Sequence, residues 1–173
     1  MKTIVVYYSY SGNNETLANR VAAELRADTF ALVEEKPRTQ KTIFMDMLLG
    51  RRPRLKALPG NMEQYDFTLF MGPVWMFHIP SPLRSCFRAL KGKIHDYAFA
   101  SVNGGALGPN TKLGSELSHR LGKEPKFVLD LNVARLCEVK ENPTTDDTGA
   151  YILATHPGDL EKLSGMVVKA LTA

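Results

Sequence analysis

The sequence predicts a doubly wound α/β domain around a five-stranded parallel sheet, and three observations lead to that fold class. Five short apolar runs rich in β-branched and aromatic residues alternate with segments of helical periodicity. Most connections are short and contain Gly or Pro, and the right-handed crossovers of parallel sheets leave few other topologies. A length of 173 residues with 44% hydrophobic residues suits one core, so we expect residues 1–173 to form a single domain.

The elements follow in order along the chain. The run at 3–8, TIVVYY, is apolar on both faces, as expected of a central parallel strand, and Leu17, Val21 and Leu25 then recur at helical spacing. The same alternation predicts strands at 29–33, 67–71, 97–102 and 127–131 and helices at 40–50, 82–91, 111–121 and 157–171. Segments 51–64 and 134–152 remain as long connections, which are more often functional or mobile than neutral.

The composition restricts the function classes. A net charge of +4 and a pI near 9.1 favour acidic partners or phosphorylated ligands, and the run RRPRLK at 51–56 is either a solvated loop or a phosphate contact. Cys86 and Cys137 form no CxxC pair, the histidines lack metal-ligand spacing, and no apolar run reaches the roughly 20 residues of a membrane span. We therefore expect a cytoplasmic protein with no metal, no membrane span and no nucleic-acid partner.

A polar junction follows the first strand and opens a helix. Backbone N–H groups at a helix N-terminus attract anions, and Ser9, Ser11 and the Asn14 amide can donate hydrogen bonds to phosphate oxygens. Gly12 permits the tight turn, and the absence of GxxxxGK excludes a Walker-type nucleoside triphosphatase. The alternative is a helix start that is capped for purely local reasons. The candidate residues of this loop are Ser9, Tyr10, Ser11, Gly12, Asn13 and Asn14.

An aromatic loop with the single tryptophan of the chain follows the third strand. A flat apolar side chain there suits a planar aromatic ligand, because stacked rings gain about 0.5 to 1.5 kcal/mol beyond their burial. The alternative is that Trp75 and Phe77 close the edge of the core. His78 either donates a hydrogen bond or proton to a ligand or is an ordinary surface residue. The candidate binding residues are Pro73, Val74, Trp75, Met76 and Phe77.

A glycine-rich loop follows the fourth strand and supplies Asn103, Gly104 and Gly105. Paired glycines let main-chain N–H and C=O groups approach the edge of a heterocycle that bears imide groups, although a plain flexible turn would look the same. In an open α/β sheet, ligands bind beyond the carboxyl ends of the strands. We therefore expect all three loops at one site.

Taken together, these loops resemble those of the flavodoxin family, and the resemblance covers nearly the whole chain. Ser9, Ser11 and Gly12 match the phosphate loop of the family, whose final hydroxyl position is held here by Asn14. The second loop is similar to the Pro-x-Trp turn of a flavodoxin-like subgroup through Pro73 and Trp75. The resemblance implies the strand order 2-1-3-4-5, bound FMN, and contact of residues 103–105 with the pyrimidine edge of the flavin.

The function implied by the resemblance is electron or hydride transfer through non-covalent FMN. A one-electron carrier and a two-electron reductase of quinones or similar acceptors both remain open, with a redox partner protein or NAD(P)H as electron donor. The acceptor is a small molecule or a protein, and the chain could form a homodimer. The alternative from another class is a flavodoxin-like interaction or regulatory module without flavin.

Overall fold

A single parallel sheet organises the chain in the computed structural model, which describes residues 1–36, 38–105, 108–137, 139, 142 and 144–173. Its strands lie in the order β2-β1-β3-β4-β5, and every neighbouring pair is parallel. This confirms the predicted α/β class and strand order. The strands are β1 (Thr3–Tyr7), β2 (Asp28–Ala31), β3 (Phe67–Met71), β4 (Asp96–Asn103) and β5 (Val128–Asn132).

Helices connect the strands and also occupy a segment that the sequence presented as a long loop. The segment 134–152, expected as a long connection without a predicted element, contains most of one short helix that begins at Val133 and all of a second one. The Thr144 side chain accepts a hydrogen bond from the Asp147 N–H and starts the second of them. The helices are α1 (Asn13–Leu25), α2 (Gln40–Leu48), α3 (Ser81–Leu90), α4 (Leu113–Leu121), α5 (Val133–Leu136), α6 (Thr145–Ala150) and α7 (Pro157–Thr172).

The sheet is covered on both faces, which explains its nearly continuous apolar strands. Val5 and Leu69 face a core packed by α1 and α7, whereas Val6 and Phe70 face a second core packed by α3 and α4. Both layers leave the carboxyl edge of the sheet open to the loops that follow β1, β3 and β4. Among the described residues, none of the helices combines the length and hydropathy needed to cross a bilayer.

Candidate functional site

A cavity of about 370 Å³ lies at the carboxyl edge of the sheet, and all three predicted loops contribute to its wall. This volume falls within the range of small-molecule and cofactor sites. Of the fourteen predicted binding residues, all but Ser9, Gly12 and Asn14 line it directly. The structure thus brings together three segments that are far apart in sequence, and their role toward a ligand is taken up below.

The first loop leaves the N-terminus of α1 without a side-chain cap. Gly12 is the N-cap residue with φ +93°, a conformation that favours glycine, and the Ser9 Oγ accepts a hydrogen bond from the Gly12 N–H at 3.1 Å. The N–H groups of Asn13, Asn14 and Glu15 meet no acceptor within the described ranges. The alternative of a locally capped helix therefore does not describe this loop, and its free N–H groups remain available to an anion.

The two asparagines of the loop are structural clamps. The Asn14 amide donates to the Val102 carbonyl at 2.8 Å and accepts from the Val102 N–H at 2.9 Å. The Asn13 amide makes the same two-bond pattern with the Tyr151 carbonyl and the Leu153 N–H, each at 2.8 Å. Both side chains are buried. One N–H and the oxygen of the Asn14 amide therefore serve β4, so the expected bond from this amide to a phosphate stays a prediction that only its second N–H could fulfil.

The aromatic loop is a tight two-residue turn. Trp75 and His78 exchange both main-chain hydrogen bonds, at 3.0 and 2.9 Å. The residues between them, Met76 and Phe77, have φ values of +51° and +64° and exposed side chains. This is the geometry of a type I′ turn, which strongly prefers Asn-Gly, and non-glycine residues in left-handed conformations typically store strain of order 1 kcal/mol or more each.

Trp75 is held from several sides. The rings of Tyr8 and Tyr10 approach it edge-on, with centroids 5.7 and 6.1 Å away, and the Arg38 guanidinium lies 5.5 Å from its centroid. Arg38 is itself held by the carboxylates of Glu34 and Asp46, with its side chain only 5% exposed. Trp75 therefore lines the cavity in a position that Tyr8, Tyr10 and the Arg38 cation define together.

The pKa values of Tyr8 and Arg38, which both contact Trp75, depend on burial and on the Glu34 carboxylate. Burial and the adjacent Glu34 carboxylate raise the pKa of the Tyr8 hydroxyl, which donates a hydrogen bond to Glu34 at 3.0 Å. Burial alone would lower the pKa of Arg38, but its bonds to Glu34 and Asp46 raise it overall. Arg38 therefore stays charged beside Trp75. Nothing in the sequence signalled this contact, because Arg38 belongs to the connection after β2.

The described residues of the glycine loop make specific contacts with β5. Gly105 has φ +71°, and a Cβ atom on it would lie 1.7 Å from the Asn132 Nδ2. Asp130 fastens both ends of the loop, since it accepts from the Asn103 amide at 2.5 Å and from the Asn110 N–H at 2.9 Å. The Asn103 Oδ1 accepts no hydrogen bond from the part of the chain that the structure describes, so it remains available to a donor on a ligand.

His78 stands apart from the other candidates. Its side chain is 56% exposed, it is not among the residues that line the cavity, and its Nδ1 lies 3.1 Å from the Glu116 Oε2.

The cavity wall also contains residues that were not predicted from the sequence. Most of them lie on α2, α5 and α6, away from the three predicted loops: Gln40, Asn110, Val133, Thr145, Thr148 and Gly149. Within the described residues, no three His, Cys, Asp or Glu side chains are grouped to hold a metal ion.

Comparison with solved structures identifies the fold as flavodoxin-like. A flavoprotein from Lactobacillus acidophilus NCFM, solved in complex with FMN, is 22% identical with a TM-score of 0.64, and the match covers 74% of this chain and 91% of that one. The flavodoxin of Streptococcus pneumoniae TIGR4 is 13% identical with a TM-score of 0.51, covering 95% and 96%. No family model matches the sequence, and no curated protein matches it significantly. At these identities the likeness is one of fold.

Proposed function

We propose that this chain, whose fold is flavodoxin-like, binds FMN non-covalently in the cavity and uses it to transfer electrons or hydride. The observation that supports this most is the meeting of three unlike loops at one cavity. An uncapped helix N-terminus suits a phosphate, a fixed tryptophan suits a flat ring, and a glycine loop suits a polar ring edge. The flavin supplies the redox chemistry when bound, and the residues of the chain bind and orient it.

The phosphate would lie at the start of α1. There the backbone N–H groups of residues 13–15 and the hydroxyls of Ser9 and Ser11 are the donors on offer. Such donors to a charged acceptor are each worth about 1.5 to 3 kcal/mol. Gly12 shapes the turn through its positive φ, and Tyr10 lines the cavity beside it.

The ring system would lie between the aromatic turn and the glycine loop. Trp75 offers an apolar surface, with Val74, Met76 and Phe77 in the same wall. On the opposite side the free Asn103 Oδ1 can accept a hydrogen bond from an imide N–H, while Gly104 and Gly105 admit a ligand close to the main chain. The residues present therefore fit a flavin, and none of the described lining residues carries a carboxylate that would repel the phosphate.

The partners fit a cytoplasmic redox protein. The electron donor is a redox partner protein or NAD(P)H, and the acceptor is a small molecule such as a quinone or another protein. The basic charge of +4 favours a reductase with a nicotinamide donor over an acidic one-electron carrier. Spectra recorded during anaerobic reduction with NADH and NADPH distinguish these roles, because a carrier that depends on a partner protein would stay oxidised.

Titration with FMN and with riboflavin tests the proposal. FMN should bind at least about 100-fold more tightly, because two or more charge-assisted bonds to its phosphate are absent from riboflavin. Equal affinities would contradict the phosphate assignment. Absence of binding by either flavin would support the alternative of an interaction module, and a yellow protein as purified would exclude it.

A further inference from the structure

A second cavity, of about 230 Å³, lies away from the flavin site in the groove between α3 and α4. We call it the basic pocket, and every described residue that lines it is cationic or a histidine: Arg52, Arg84, Arg88, Lys91, His119 and Arg120. Cations of like sign repel, so a folded chain gathers them around a concavity only at a cost. That cost is offset when an anion occupies the space.

Arg84 gives this cluster the character of a built site. Its side chain is only 7% exposed, and its Nε, in the first turns of α3, meets no acceptor in the described part of the chain. A buried guanidinium with an unused donor is expensive, since most buried polar groups are hydrogen-bonded. Burial, and then the charge of Arg120, lower the pKa of Arg84, while Glu116 opposes them. Arg84 therefore has one carboxylate nearby, and its Nε is left without an acceptor among the described residues.

The described residues supply little negative charge to the cations of the basic pocket. Glu116 accepts from Arg120 at 2.6 Å and lies 3.5 Å from Arg84, but it also accepts the Ile79 N–H and contacts His78. Arg52, Arg88 and Lys91 form no ion pair with any described residue. Of the five cations, only Arg84 and Arg120 contact a carboxylate among the described residues, and that carboxylate is already divided among several partners.

Arg52 is brought to the pocket by a specific contact. The Ser85 hydroxyl on α3 donates to the Pro53 carbonyl at 2.7 Å and fastens the basic segment 51–56 against the helix. Arg54, two residues along, lines a different cavity with Glu34, Arg38 and Asp46. The run 51–56 therefore contains Arg52, which lines the basic pocket, and Arg54, which does not and can serve as its control.

We propose that the basic pocket binds a compact anion carrying two linked phosphate groups, as in inorganic pyrophosphate or a nucleoside diphosphate. Guanidinium groups bind phosphate oxygens in paired geometry, and several converging cations match the three or so charges of a diphosphate better than the one or two of orthophosphate. The concave shape and the buried Arg84 favour a ligand that enters the pocket over a flat acidic protein surface. The basic pocket shares no described lining residue with the proposed flavin cavity.

Calorimetric titration of FMN-saturated protein with sodium pyrophosphate at constant ionic strength tests this proposal. We expect saturable one-site binding, with orthophosphate at least about tenfold weaker. Arg52→Gln and Arg88→Gln should each weaken pyrophosphate about tenfold, the loss of one charge-assisted contact. Arg54→Gln is the control and should bind like the parent. Because these variants localise the effect, the comparison holds even if the protein takes up no flavin.

The outcomes separate the alternatives. If adenosine diphosphate binds as tightly as pyrophosphate and loses the same affinity in Arg52→Gln, the ligand is a nucleotide. If pyrophosphate binds more tightly, the ligand is a free polyphosphate. Both results support a phosphate-binding role for the basic pocket. Equal loss in Arg52→Gln and Arg54→Gln would show general electrostatic attraction and overturn it. Absence of saturable binding would also overturn it and leave the cluster as a contact for an acidic protein.

Discussion

Replacing Asn14 by alanine should destabilise the fold far more than an ordinary helix substitution. β4 extends beyond β3, since the last paired residues are Met71 and Ala100, and the Asn14 amide takes the place of a neighbouring strand at Val102. Alanine would leave the Val102 N–H and C=O buried without partners. Each such group costs about 1 to 3 kcal/mol, against about 0.5 kcal/mol gained from better helix propensity. We expect a loss of about 2 to 5 kcal/mol.

Urea unfolding followed by circular dichroism measures this loss, on flavin-free protein so that ligand binding does not add to the stability. Arg20→Ala on the same helix is the control, because its exposed ion pair with Glu24 contributes at most about 1 kcal/mol. A loss below about 1 kcal/mol for Asn14→Ala would refute the clamp. So would a folded Asn14→Ala protein that no longer prefers FMN to riboflavin, since the side chain would then serve the phosphate.

Asn14→Asp sharpens the test through pH. At neutral pH one carboxylate oxygen can accept the Val102 N–H, but the other would face the Val102 carbonyl oxygen, so the free energy of unfolding should fall at least as far as in Asn14→Ala. That repulsion raises the pKa of the new carboxyl in the folded state. Stability should therefore recover as the pH falls and the protonated carboxyl donates to the carbonyl; a deficit that does not change with pH would contradict this.

Three further predictions concern the turn and its support. Flavin binding should quench the single tryptophan, and Trp75→Ala should weaken FMN binding by about 1 to 3 kcal/mol, while unquenched emission would remove Trp75 from the site. Met76→Asn combined with Phe77→Gly should stabilise the protein by about 1 kcal/mol in urea unfolding, because both residues have positive φ; a loss would mean that the turn is unstrained. Glu116→Gln should lower the free energy of unfolding mainly above pH 4.5. Burial raises the pKa of Glu116, but the Ile79 N–H and Arg120 lower it further, so its pKa in the folded protein is below 4.5. The stability that the carboxylate contributes is therefore lost as the pH falls through that lower pKa. Substitution of the exposed Glu161 by Gln is the control for Glu116→Gln. A loss of stability in Glu116→Gln that stays the same in acid would refute this prediction.

The sheet and the three loops were predictable because their signals are local. Continuous apolar runs such as 3–8 identify buried parallel strands, and the carboxyl-edge rule then places the following loops together. The helices α5 and α6 were not predictable in the same way. They are only four and six residues long, too short for a helical period to stand out from a polar segment.

The missed features of the site depend on contacts between residues distant in sequence. Asn14 lies at a position where hydroxyl or amide side chains suit a phosphate, and its partner Val102 is 88 residues away. Arg38 reaches Trp75 from the connection after β2, and Arg84 on α3 gives no sign in the sequence that its Nε is buried. The type I′ turn at Met76 and Phe77 contradicts the usual Asn-Gly signal, so only the structure could show it.

Strain at the aromatic turn persists because its surroundings fix both of its ends. The Trp75 ring is held by Tyr8 and Arg38, and on the other side Glu116 accepts the Ile79 N–H at 3.1 Å and contacts His78. A left-handed conformation at a bulky residue survives only where neighbouring contacts outweigh its cost. Glu116 is also the carboxylate that Arg84 and Arg120 share, so the group that fixes the aromatic turn also offsets charge in the basic pocket. A substitution at Glu116 should therefore affect both the aromatic turn and the basic pocket.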